Sequence, residues 1–494
     1  MSGWIKNVVD KIKDLSVSVD SYKKDSIIQS LPVIAIVNKA KKLIDKKMYD
    51  EAEKFLKQGL DIADDALLYK YLGRIYESQL KFREAVEYYD CSAKINPQDK
   101  EIWLRLGMSQ LNNKMIEEAI ISFEKANKIT PLNTDVQTGW GMALMKQKKY
   151  ALARDKFLNA TKISKYNYTA ILLSAIMEIR LCDYESAEMK LKFLAKVAPN
   201  ESSTYEYANL KLLKSDYRAA EKYAKKSLEI NSQMLPSYFV LGEVYSIQKN
   251  LEMTEKIFSK ALENDLDNEV LHFEWGKAYV RFFDYQKAKE HFLISLEKCP
   301  ECLDAKIGLA LVNAYERDFS LLAELKEKNG ENVYIQESIG LERFAVDKFE
   351  DAVESFKKAL RTDKKQTYNY LNLARVYQKL ENKDKTREYF EKFIRENSEY
   401  FEGFLEYAKW LIEIDDIADA QRKLRKADKL ICNNVEVLNL LFYTSYRLVK
   451  DNICEYNIKE AILIADKVKS FGDFEYEPQR TELVSLLTDI QGRN

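Results

Sequence analysis

The chain has 494 residues, in which 78 Lys and Arg balance 79 Asp and Glu. This balance excludes the basic field typical of nucleic-acid-binding proteins, so we predict no nucleic-acid partner. Hydrophobic residues make up 46% of the chain, and only 14 Gly and 7 Pro are present, which leaves little sequence for flexible linkers. The six scattered cysteines do not form a disulfide framework, and no secretory signal or membrane-spanning run is evident. We therefore predict a cytoplasmic protein.

Residues 1–30 are predicted to comprise an amphipathic helix and a polar linker. The apolar face of this helix consists of Trp4, Ile5, Val8, Val9, Ile12 and Leu15. Its polar face mixes lysine with aspartate, whereas helices that lie on membranes usually carry a strongly basic face. We therefore expect at most weak membrane association through residues 4–15.

Small residues recur with a period of 34 from the second repeat onward. One series consists of Ala85, Ala119, Ala153 and Ala187. A second series lies twelve positions earlier and consists of Gly73, Gly107, Gly141 and Ala175. Each period is long enough for one helical hairpin, and small side chains let neighbouring helix backbones approach closely. The sequence therefore predicts a stack of helical hairpins.

Larger residues occupy fixed positions around these small ones. In one repeat, the large and small residues at these fixed positions are Trp103, Leu106, Gly107, Ala119, Phe123, Ala126 and Pro131. This set, repeated about a dozen times, resembles the tetratricopeptide repeat (TPR) superfamily. The resemblance implies an all-α, right-handed superhelical solenoid of about 12–13 TPR-type hairpins.

The repeats divide into two predicted lobes. Residues 31–319 form the first lobe and residues 333–470 the second. Between them, residues 320–332 form an irregular junction, because the second helix of that repeat is short and ends at Asn329-Gly330. Residues 471–494 are predicted to contain a C-terminal capping helix, since the last repeat of a solenoid otherwise exposes its apolar face.

Motifs for catalysis are not apparent. The chain has no phosphate-binding loop, nucleophile elbow or kinase signature, so we predict no enzymatic activity, no catalytic residues and no cofactor. The candidate zinc ligands are Cys299, Cys302, His272 and His291. We predict a structural role for them and no metal, because Pro300 and His272 occupy ordinary TPR positions and four ligands would have to converge from separate faces.

The resemblance implies that the first helix of each hairpin lines a concave groove. The residues that we assign to a partner-binding strip there are Leu104, Met108, Met142, Met145, Leu172, Ile176 and Leu212. An alternative is that these side chains are half-buried packing between hairpins. The methionines favour binding, because flexible thioethers adapt to varied apolar partners. The basic clamp of chaperone-binding TPR proteins is missing, since Asp135 and Gly139 stand where Lys and Arg would be needed.

These observations predict a non-catalytic scaffold or adaptor that binds protein or peptide partners in the groove. Two alternatives stay open: a peripheral membrane or organelle-assembly factor that uses the N-terminal helix, and a regulatory TPR subunit of an enzyme supplied in trans. We also hypothesise that residues 4–15 cover the groove, in their own chain or in a second copy, until a client displaces them. A fully extended linker of residues 16–30 could span about 50 Å.

Overall fold

The computed structural model describes residues 21–451, 453–471 and 476–491, and every regular element in these ranges is an α-helix. The predicted helix at residues 4–15 lies outside them. Contacts divide the chain into two compact units. The first ends at Leu241 and the second begins at Gly242. This division falls inside one helix, and the predicted lobe junction at residues 320–332 lies within the second unit.

Helices α1–α26 follow one another as the first and second helices of successive repeats, and α27 comes after the last repeat. The helices that begin in the first unit are α1 (Ser21–Asp45), α2 (Tyr49–Leu60), α3 (Ala66–Ser78), α4 (Phe82–Ile95), α5 (Lys100–Asn112), α6 (Ile116–Ile129), α7 (Thr134–Lys146), α8 (Tyr150–Ile163), α9 (Tyr168–Arg180), α10 (Tyr184–Val197), α11 (Glu201–Leu213), α12 (Tyr217–Ile230) and α13 (Leu235–Ile247). Those that follow are α14 (Leu251–Glu263), α15 (Glu269–Arg281), α16 (Tyr285–Lys298), α17 (Leu303–Tyr315), α18 (Ser320–Asn329), α19 (Val333–Ala345), α20 (Phe349–Thr362), α21 (Tyr368–Lys379), α22 (Lys383–Glu396), α23 (Phe401–Glu413), α24 (Ile417–Leu430), α25 (Val435–Asp451), α26 (Glu455–Lys469) and α27 (Glu477–Gln491).

Polar caps and tight turns set the hairpin boundaries. The side chains of Asp99 and Asn133 accept hydrogen bonds from backbone N–H groups in the first turns of α5 and α7. Between the two helices of most hairpins, one residue adopts the left-handed conformation. Examples are Leu80, Lys114 and Lys148, with φ between 59° and 63°. This conformation costs a non-glycine residue about 1–2 kcal/mol, so the stacked helices must hold each turn in place.

The recurring glycines make room for an aromatic ring on the second helix. A Cβ atom added to Gly141 would lie 2.5 Å from the Phe157 ring, and one added to Gly276 would lie 2.6 Å from the Phe292 ring. Both rings are fully buried. The glycine positions therefore fix how closely α7 approaches α8 and α15 approaches α16, as the repeat pattern predicts.

Helix α18 is short, as predicted, with 10 residues where most second helices have 13 or 14. It packs less extensively on α17 than α16 packs on α15 or α20 packs on α19, and α17 instead packs directly against α19. The irregular repeat thus brings two first helices into close contact within the second unit.

Two further features concern the ends of the array. Residues 21–30, which we expected to be linker, are the first part of α1, because no Gly or Pro occurs between Ser21 and Leu31. At the other end, the segment predicted to contain a capping helix includes α27. Its Leu483 is fully buried in a cluster that includes Phe442, Ile458 and Ala461.

Candidate binding groove

The seven residues of the predicted strip lie on the first helices of four consecutive hairpins in the first unit. They are Leu104 and Met108 on α5, Met142 and Met145 on α7, Leu172 and Ile176 on α9, and Leu212 on α11. All seven are half-buried. We call the side of these helices that carries them the groove face.

Three of these residues share a cavity. Leu104, Met108 and Met142 line a space of about 300 Å³ on the groove face. The other lining residues are Glu77, Glu101, Arg105, Asp135, Thr138 and Gly139. A Cβ atom at Gly139 would lie 3.1 Å from the Met108 sulfur and 2.7 Å from the Phe123 ring, so this glycine leaves space that a side chain would fill.

The other strip residues combine partial exposure with packing. Met145 and Ile176 pack, together with Met142, against a buried cluster that contains Phe157 and Met177. Leu172 packs against a cluster formed mainly by α9, α10 and α11. The strip thus contributes to packing between hairpins and also leaves apolar surface accessible.

A network of ion pairs forms one wall of the cavity. Arg105 donates from Nε to Glu101 Oε1 at 2.7 Å and from Nη1 to Glu77 Oε2 at 3.1 Å. The buried Lys70 lies 2.5 Å from Glu101 Oε2 and 3.0 Å from Asp99 Oδ2. Burial opposes ionisation of Glu101, but hydrogen bonds from Lys70 and Arg105 outweigh it and lower the pKa of this carboxyl to about 2. Both cations are thus already engaged.

Asp135 differs from the other acidic residues of the cavity. It lies in the first turn of α7 and is exposed, and within the described part of the chain its carboxylate forms no ion pair. Of the residues that line the cavity, three are carboxylates (Glu77, Glu101 and Asp135) and one is a cation, Arg105. The cavity is therefore apolar on one side and negatively charged on the other.

The corresponding face of the second unit is filled by its own side chains. The Tyr285 and Tyr315 rings stack at 4.1 Å, and the Tyr315 hydroxyl donates to Glu337. Asn369 Nδ2 donates to Glu337 Oε2 at 2.8 Å, and Asn372 Nδ2 donates to the Tyr315 oxygen at 3.0 Å. Glu337 is only 1% exposed, and burial raises its pKa to about 7.

Ion pairs extend this filled face. Arg281 donates to both oxygens of Glu243, at 2.7 and 3.3 Å. Arg375 likewise donates to both oxygens of Glu406, at 2.7 and 2.8 Å. Lys249 donates to the Arg281 carbonyl, and burial lowers the pKa of this lysine to about 8. The face that could receive a partner in the first unit is thus occupied by internal contacts in the second.

Comparison with known families identifies the repeat. A family model described as tetratricopeptide repeat matches residues 100–131, 235–268 and 368–400. The chain is a tetratricopeptide-repeat protein. No curated protein sequence matches it.

Two solved structures are similar to the chain, and the one with a TM-score above 0.5 shows the same fold. A chain from the crystal structure of the APC/C hetero-tetramer Cut9-Hcn1 is similar with a TM-score of 0.55 at 11% identity, over 91% of this chain and 94% of that one. A tetratricopeptide repeat protein from Parabacteroides merdae gives a TM-score of 0.44 at 15% identity, over 49% of this chain and 96% of its own. TPR solenoids in general present extended surfaces for binding other proteins.

The candidate zinc ligands of this TPR protein are not assembled into one site. The Nδ1 atoms of His272 and His291 lie 3.0 Å apart, and His272 Nε2 lies 3.0 Å from Asp267 Oδ1. Cys299 and Cys302 instead belong to the turn after α16, where the Cys302 N–H donates to the Cys299 carbonyl. Burial, reinforced by His272, lowers the pKa of His291 to about 4. Across the described ranges, no group of three or more His, Cys, Asp or Glu side chains is arranged to hold a metal.

The sequence analysis missed the charged wall of the TPR cavity. Helical spacing contains the signal, because Glu101 and Arg105 precede Met108 by seven and three residues, and Asp135 precedes Met142 by seven. These positions share one helix face with the predicted apolar residues. The residues one or two helical turns before each predicted apolar residue therefore include these carboxylates. As for membranes, none of the described helices is both long and apolar enough to cross a bilayer.

Proposed function

We propose that this TPR protein is a non-catalytic scaffold that binds a segment of a partner protein on the groove face of its first unit. The observation that carries the proposal is the contrast between the two units. In the first, apolar side chains on α5, α7, α9 and α11 are half-buried, and those on α5 and α7 line a cavity. In the second, tyrosines, ion pairs and a buried glutamate fill the equivalent face.

The chemistry of the strip suits a helical partner. Methionine side chains have several rotatable bonds and a polarizable sulfur, so they adapt to differently shaped apolar residues. An amphipathic helix that places its apolar face in a groove is a recurrent mode of recognition. Because Met142 and Ile176 are both half-buried on neighbouring first helices, one helix could contact both.

The test uses a fluorescent peptide that forms an amphipathic helix with Leu on one face and uncharged Gln on the other. We expect the protein to bind it, and we expect Met142→Lys with Ile176→Lys to weaken binding at least about tenfold, which corresponds to about 1.4 kcal/mol. The charged side chains would be desolvated against the bound apolar face. Binding is measured by fluorescence anisotropy.

The matched control is Met189→Lys on α10, where the methionine is 70% exposed. This variant should bind the peptide as the unchanged protein does. Circular dichroism must show that the double variant stays folded. If the double variant unfolds, the strip is structural core, and if it binds normally, the groove face is not the binding surface.

A further inference from the structure

The apolar groove face is bordered by negative charge at one end. Around the cavity, Arg105 and Lys70 are shared among Glu77, Glu101 and Asp99, as described above. Asp135 stands apart, exposed and without an ion pair in the described part of the chain. It lines the same cavity as Met108 and Met142. A cation seated there would meet an uncompensated carboxylate beside apolar surface.

The apolar face ends at a second carboxylate two hairpins further on. Glu206 on α11 occupies the repeat position that Gly139 occupies on α7, and Asn209 occupies that of Met142. Glu206 is half-buried and forms no ion pair among the residues that the structure describes. Burial raises its pKa, although a hydrogen bond with Asn209 and the charge of Arg180 act in the opposite direction. A second cation near Glu206 would offset the free-energy cost of burying this carboxylate.

We propose that the occupant of the groove face is a basic amphipathic segment of a partner protein, with apolar residues over the strip and a Lys or Arg at each end, beside Asp135 and Glu206. This inference rests on the proposed function and adds the charge of the ligand. The long aliphatic stem of Lys or Arg suits the cavity, because it can lie along Met108 and Met142 while its charged end reaches Asp135.

The spacing of the two carboxylates constrains the partner. Helices that pack together lie about 8–10 Å apart, so the two hairpin steps from α7 to α11 cover about 20 Å. A helix rises 1.5 Å per residue, so its two basic residues would be separated by about 13 positions. The chain's own residues 4–15 fit this requirement poorly, because their lysines, Lys6, Lys11 and Lys13, are at most seven positions apart. With residues 21–30 helical, the segment that could act as a linker shrinks to residues 16–20, which span at most about 17 Å.

The test compares two synthetic 18-residue peptides that share one Leu face. One carries Lys near both ends, and the other carries Glu at the same positions. We expect the lysine peptide to bind the full-length protein at least about tenfold more tightly at low salt, and this preference should shrink as salt screens the charges. Asp135→Asn with Glu206→Gln should reduce the preference to less than about threefold. The control Glu118→Gln changes an exposed carboxylate in the first turn of α6 and should leave the preference intact.

The outcomes separate the two proposals. If both peptides bind equally and Met142→Lys with Ile176→Lys removes both, the groove function stands and the charge assignment is wrong. If neither peptide binds, both proposals fail. If deleting residues 1–18 increases affinity for the lysine peptide tenfold or more, the chain's own N-terminal segment is the occupant, and the assignment to a partner is overturned. We expect that deletion to change affinity less than about twofold.

Discussion

Replacing Glu337 with Gln should remove a pH dependence of stability that is built into the second unit. Glu337 lies where α17, α19 and α21 meet, and it accepts hydrogen bonds from the Tyr315 hydroxyl and from Asn369 Nδ2. Burial dominates and raises its pKa from 4.5 to about 7. A glutamine at this position keeps an acceptor for the tyrosine and cannot ionise.

The sign follows from proton binding. Because the folded-state pKa exceeds the unfolded value, the folded protein holds more protons between pH 4.5 and pH 7. The free energy of unfolding therefore falls as pH rises through this window and levels off above pH 7. At about 1.36 kcal/mol per pKa unit, the full loss is about 3 kcal/mol. We expect Glu337→Gln to match the unchanged protein near pH 4.5 and to be more stable by up to about 3 kcal/mol at pH 8.

The assay is urea denaturation followed by circular dichroism at several pH values, with the two proteins compared at each pH so that other titrating groups cancel. Glu331→Gln serves as the control, because its side chain is 89% exposed and pairs only at the surface with Lys358. That variant should differ by less than about 1 kcal/mol at every pH. A constant difference between Glu337→Gln and the unchanged protein from pH 4.5 to pH 8 would show that the buried carboxyl does not titrate as argued.

Three further predictions follow from the fold. Gly141→Ala should destabilise the protein by about 1–3 kcal/mol in thermal unfolding, because the added Cβ would lie 2.5 Å from the buried Phe157 ring. The control Gly330→Ala should be nearly neutral, since its added Cβ would meet only the Lys326 carbonyl, at 3.2 Å. Cys299→Ser with Cys302→Ser should leave the melting temperature within about 2 °C, and metal analysis should find no stoichiometric zinc in the unchanged protein; one equivalent of zinc that is lost on replacement would contradict this. Brief trypsin digestion should cut at Lys326 or Lys328 in α18 before it cuts within residues 100–160, since α18 is short and weakly packed on α17. Earlier cuts in the regular hairpins would contradict the view that α18 is the least stable helix of the array.

The sequence predicted what the repeat period controls. Glycines such as Gly141 and Gly276 report the close approach of two helices within one hairpin, so their spacing revealed the hairpins. The period also assigned the strip residues to successive first helices. The short helix after Phe319 was visible because Asn329-Gly330 ends it early.

Contacts between distant repeats could not be predicted in this way. Asn372 and Tyr315 are 57 residues apart, and their hydrogen bond depends on how α17, α19 and α21 pack around the irregular repeat. No periodic signal encodes that packing. Residues 21–30 were misjudged for a different reason, because their polar composition resembles a linker although nothing in it prevents a helix.

The filled face also bears on how the second unit unfolds. In a simple repeat array each hairpin contacts only its neighbours, so repeats can open one at a time from an end. Here Phe283, in the turn between α15 and α16, lies 6.1 Å from the Phe393 ring and 4.9 Å from the Tyr400 ring, three hairpins further along the chain. Opening one hairpin would expose aromatic surface belonging to others. The second unit therefore has the connectivity of a globular core, in which non-adjacent repeats gain or lose their structure together.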